Sequence, residues 1–152
     1  MSLASWSKET SSTMQAQHRL ESMPHERHGV RPPSPLVVGD KDAYHAACAK
    51  AGYPGHLAEQ IKVAPVQDVS LKGVRTIQRS VNPERVLHFL RHPGQLGHAR
   101  NGHWGPVDLP IIVQAGGQRW IHDGHHRATA AILRGESGVR ARFVDLDKRV
   151  SR

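Results

Sequence analysis

The stretch "LPIIVQAGGQRWIHDGHHRATAAILRG", Leu109 to Gly135, sets three structural signals in succession, with a dense group of titratable side chains at one junction. "VDLPIIVQ" is an apolar, β-branched run of strand length, "AGG" a tight glycine turn and "QRWIHD" a second strand, so the pair reads as a hairpin. A helix follows from about Gly124 to Arg134, and Gly135 is a suitable stop. Between strand and helix stand His122, Asp123, Gly124, His125, His126 and Arg127.

That junction implies a chemistry. The first amides of a helix have no internal acceptor and carry partial positive charge, so the point attracts phosphate. Gly124 lets the backbone bend and a ligand approach closely. Arg127 presents a fork of donors to phosphate oxygens. His125 and His126 are suited to donate to phosphate or to carry a proton near neutral pH. Asp123 has three roles open to it: helix cap, partner fixing a histidine tautomer, or ligand to a divalent cation. His122 alternates with the buried positions of its strand and reads as structural.

On either side the pattern is that of an α+β domain. "VRARFVDLD" alternates as a last strand, and "IKVAPVQDVSL", from Ile61, reads as the strand that enters the domain. "VNPERVLHFLRHPG" is a punctuated helix. Asn82 is its cap, Pro83 suits the first helical position, Glu84 favours the positive end, and Gly94 ends it. Val86, Phe89 and Leu90 share one face. "GQLGHARNGHWGP" lacks a period and reads as a loop. Its neighbourhood places His92, His98 and His103 at spacings that match no zinc pattern, and Trp104 reads as a packing anchor. The order strand, helix, hairpin, helix, strand gives a compact domain with a small mixed sheet and packed helices.

The remainder is plainer. Residues 1–40 are rich in Ser and Pro and read as a flexible or loosely docked arm, with a short helix around Met14–Met23. Residues 41–60 read as helical: "DKDAYHAACAKAGY" has Asp40 as cap and Gly52 as stop, and a second segment covers His56–Ile61. The domain proper spans 61–147, and 148–152 is a basic tail. The single cysteine, Cys48, lies among alanines and reads as a buried, inert thiol. No apolar run is long enough to cross a membrane and no leader pattern opens the chain, so a cytoplasmic protein without a membrane partner is expected. The net charge of +8 is uneven: residues 61–152 hold 15 Lys or Arg against 7 Asp or Glu, which favours a polyanionic partner.

"LPIIVQAGGQRW", "WIHDGHHRATAAILRG" and "VRARFVDLD" together resemble the ParB/sulfiredoxin superfamily, particularly its ParB-like nuclease members, and "TIQRSVNPERVLHFL" is similar to the upstream part. The resemblance runs from about Ile61 to Asp147 and implies a ParB/sulfiredoxin-like fold. It also implies that Gly124, His126 and Arg127 bind phosphate, with Gln78 and Arg79 completing the cradle from the facing loop. Sulfiredoxins carry a catalytic cysteine where this chain has His125, and chromosome-partitioning members carry Gly-Glu-Arg-Arg where it has Gly124-His125-His126-Arg127. The nuclease branch, common in phages, fits better. The implied function is hydrolysis of DNA phosphodiester bonds, with Asp123, His125 and His126 catalytic and Asp123 positioning a divalent cation (Mg or Mn). Two alternatives stay open. One is a nucleotide-dependent phosphotransferase of serine-kinase type, binding ATP, ADP or CTP with Glu84 as base. The other is an inactive DNA-binding or host-enzyme-inhibiting phage protein with a protein partner on residues 1–60.

Overall fold

The computed structural model describes residues 13–51, 57–92 and 109–150. In chain order these form α1 (residues 13–21), β1 (His25–Glu26), β2 (Gly29–Val30), β3 (Val37–Val38), α2 (Lys41–Lys50), α3 (Leu57–Val63), β4 (Val66–Ser70), β5 (Arg75–Thr76), α4 (Pro83–Arg91), β6 (Ile111–Ala115), β7 (Gln118–Asp123), α5 (His125–Leu133), β8 (Gly138–Asp145) and α6 (Asp147–Val150). Among the described residues, six strands make one mixed sheet in the order β3–β5–β7–β6–β8–β4. The α+β class expected from the sequence is therefore present. No described helix is long and apolar enough to cross a membrane.

The β6–β7 hairpin is the centre of the sheet. Gly116 and Gly117 have φ of 64° and 75°, a two-residue loop that left-handed backbone closes without strain. Ala115 pairs with Gln118 and Gln114 with Arg119 across it. The carboxylate of Asp147 locks the turn, one oxygen accepting from Gly116 N–H and the other from Gly117 N–H, both at 2.8 Å. Asp147 opens α6, so residues 147–150 add a turn of helix where the sequence suggested only a tail.

Alternation decides the two faces of the sheet. Trp120, Val113 and Val144 point to one side and pack with Tyr44 and Cys48 of α2 and with Leu57 and Ile61 of α3. Ile121, Ile112, Ala141 and Phe143 point to the other and meet Ala128 and Ala131 of α5. The opposite side of α5, at Ala130 and Leu133, packs on Val86, Phe89 and Leu90 of α4 and on Ala16 and Leu20 of α1. A helix covered on both sides needs small residues to let its neighbours approach, which explains the alanine-rich run after the histidines.

Two sequence-based boundaries move. Ile61 to Val63 are helical rather than extended. Ile61 lies one turn after Leu57 and packs with it in the same apolar cluster, and the strand starts only after Pro65, a residue ill suited to a helix interior. Residues 13–38 of the N-terminal segment are docked within the fold, and residues 1–12 lie outside the described residues. Ala16 is fully buried, Leu20 is 5% exposed, and Val37–Val38 adds an edge strand to the main sheet. Val30 and Val81 exchange backbone hydrogen bonds at 3.0 and 2.9 Å, and Arg19 Nη1 donates to the Leu133 carbonyl at 2.6 Å, placing a cation at the negative end of α5. The caps at Asp40 and Asn82 form as expected, each side chain accepting from the amide two residues on. The helices end with Ala51 and His92 as C-caps. Gly52, His56, Gly94, His98, His103 and Trp104 lie outside the described residues.

Docking of α1 has a measurable consequence. Leu20→Ala is expected to lower stability by about 2–4 kcal/mol in urea unfolding, as for a buried leucine. An arm lying loosely on the surface would give less than about 0.5 kcal/mol.

Candidate functional site

Strands β3, β5 and β7 run parallel, so their C-terminal ends share one edge of the sheet. In open sheets, ligands sit outside the carboxyl ends of such strands. At that edge β7 ends in Asp123, the chain turns at Gly124 and α5 begins. Gly124 has φ 97° and ψ 26°, and a Cβ there would lie 2.8 Å from both Cα and Cβ of Pro110. Only glycine fits the conformation and the space. Gly124 is the N-cap of α5 and has no side chain to accept from the first amides. Asp123 is therefore not the cap. It is exposed, and its Oδ1 accepts from the neighbouring Gly124 N–H at 2.9 Å.

The histidines divide by environment. His125 is 5% exposed. Its ring donates to the Ile121 carbonyl, and its Nε2 is buried with no hydrogen-bond partner. Burial first, and then the neighbouring His126, push its pKa down to about 4. His125 is neutral at physiological pH, and its role is that of a buried wedge under the helix start. A base works best with a pKa near the working pH, so His125 is poorly placed for proton transfer.

His126 uses its Nε2 as the acceptor for the Asn82 N–H at 3.0 Å. That nitrogen carries no proton and is not a donor to phosphate. The bond ties the start of α5 to the cap of α4, so two helix N-termini meet at one point and their partial positive charges reinforce each other.

His122 is structural, as its place in the strand suggests. The Tyr44 hydroxyl and His122 Nδ1 share a hydrogen bond of 2.9 Å, and burial pushes the Tyr44 pKa well up. Burial also lowers the His122 pKa. The bond clamps α2 to the end of β7. Burial likewise raises the pKa of Cys48 and leaves it an inert thiol.

The arginines supply the formal positive charge of the site. Arg127 is half-buried, its guanidinium 5.9 Å over the Phe89 ring. Arg79 is exposed and makes no hydrogen bond or ion pair with another described residue. Gln78 is exposed too, its N–H donating to Thr76 Oγ1 at 3.2 Å. The segment carrying both runs from β5 to α4 and is held against α5 at Asn82. Among the described residues, no three His, Cys, Asp or Glu side chains are grouped to hold a metal ion. Asp123 stands as a single carboxylate with one oxygen already engaged, a donor set that does not by itself fit a resident cation.

Sequence reasoning missed Asn82 as a partner of His126, Pro110 as the wall behind Gly124, and Tyr44. Asn82 and Pro110 act through backbone atoms and shape, for which a sequence carries little signal. The chain matches no protein-family model, no curated protein and no solved structure.

The buried imidazole sets a pH dependence. With a folded value near 4 against 6.5 for the free group, His125 binds fewer protons when folded. Its contribution to stability is complete above pH 6.5 and is lost as pH falls toward 4, a change on the order of 3 kcal/mol. Urea unfolding across this range is expected to show a steep acid limb that flattens in His125→Phe. Equal slopes in the two proteins would show that the ring titrates normally.

Proposed function

We propose that the chain is a ParB-like nuclease domain that seats a phosphodiester of DNA at the start of α5. The observation that carries this reading is the helix start itself. A left-handed glycine without a capping side chain opens α5 at the carboxyl edge of parallel strands, and His126 joins that point to the start of α4. Backbone amides and two helix ends favour a dianionic or monoanionic phosphate there. Arg127 and, from the adjoining segment, Arg79 add charge, and the basic excess of residues 61–152 suits a polyanion.

In this reading the amides stabilise the added negative charge on phosphorus as a water attacks. The water oxygen bonds to phosphorus, and its proton passes to Asp123 Oδ2, the oxygen not engaged by Gly124. The bond from phosphorus to the leaving sugar oxygen breaks, and that oxygen takes a proton from solvent. His125 and His126 shape the site instead of exchanging protons. No step is routed through a cation. The phosphotransferase alternative requires an acidic base, and Glu84 lies exposed in the first turn of α4, a position the helix dipole accounts for.

Plasmid nicking, with magnesium or manganese and with chelator, tests the assignment. Asp123→Asn is expected to slow cleavage by about 100-fold or more while leaving DNA affinity nearly unchanged. Arg127→Ala is expected to weaken DNA binding by about tenfold. Cleavage at the wild-type rate by Asp123→Asn would assign the activity to something other than this site.

A further inference from the structure

A cavity of about 680 Å3 opens beside α5 on the flank away from β3, with Arg127, Arg134 and Arg140 among its lining residues. Its size is that of a ligand site. Leu109, Pro110, Ala130 and Ala131 form an apolar wall. Pro110 is also the residue packed against Gly124, so one end of the cavity adjoins the start of α5.

The far end is charged and incompletely satisfied. Arg134 Nη1 is buried without a hydrogen-bond partner among the described residues. A buried donor left unmade is destabilising, and an anionic oxygen would relieve it. The existing ion pairs are long: Arg134 Nε lies 3.8 Å from Glu136 Oε1 and Arg140 Nη1 lies 3.5 Å from Asp68 Oδ1. Each guanidinium has five donors, so one carboxylate contact leaves others for a ligand.

We propose that this cavity holds the continuation of a single nucleic-acid strand, with Arg134 and Arg140 seating a second phosphate. The inference rests on the reading of the α5 start as a phosphate site. Arg127 and Arg134 are seven residues apart on one helix, about 10 Å along its axis at 1.5 Å per residue. A stacked strand advances about 3.4 Å per nucleotide, so the interval corresponds to about three steps. The apolar wall between the two charged ends suits sugars and bases. The substrate class is thus an oligonucleotide strand.

The test uses the full chain with two probes, thymidine 5′-monophosphate and hexathymidylate, by calorimetry and over a range of salt. Arg134→Gln and Arg140→Gln are each expected to reduce hexathymidylate affinity by about fivefold to tenfold and to flatten its salt dependence by about 0.7 in log–log slope. Both should leave the monophosphate affinity unchanged, whereas Arg127→Ala should weaken both probes. Arg140 is exposed, so its variant keeps the test sound if Arg134→Gln disturbs the helix end. Unchanged hexathymidylate affinity and slope in both glutamine variants, with loss in Arg127→Ala, would overturn the strand path alone. Failure of both probes to bind the wild type would overturn the phosphate site and the strand path with it.

Discussion

Gly124 sits in left-handed backbone with Pro110 pressed against it, and most of the candidate site depends on that contact. Pro110 leads directly into β6, the hairpin partner of β7. Strand pairing therefore fixes both sides of the turn before any ligand is present. The bend redirects the chain from the sheet edge into α5 within one residue. A side chain at this position would meet both the backbone restriction and the proline, so the helix start could not stay where it is.

The helix that leaves this turn is packed on two sides. Its alanines let the sheet approach on one side and α4 with α1 on the other. Thr129 turns its hydroxyl back to the His125 carbonyl at 2.8 Å, and Arg19 reaches across to the last turn. The N-terminus of α5 thus belongs to an element packed against the sheet and against two other helices.

The three histidines of the junction show how little residue type says without environment. All three are short-range neighbours in the sequence. Burial makes His125 a neutral wedge, a backbone amide takes the Nε2 of His126, and a tyrosine from α2 takes the Nδ1 of His122. The formal positive charge near the start of α5 comes from arginine side chains such as Arg127. The buried His125 makes the stability of the fold fall only as pH drops below about 6.5.

The sequence alone determined the local features. The Asn82 cap with Pro83 behind it, the two-glycine turn and the strand-to-helix break at Gly124 carry short-range sequence signals. The α+β class follows from the same patterns. Tertiary structure alone decided the rest. The docking of α1 rests on two buried positions, Ala16 and Leu20, too few to show a periodic face, and most of their partners lie more than sixty residues away. Ile61 carries an apolar signal that suits strand or helix equally, and only its packing with Leu57 settles it. Arg134 reads as an ordinary helix-end cation until burial of its Nη1 marks it out. Desolvation and long-range packing set these outcomes, and both depend on which distant segments come together.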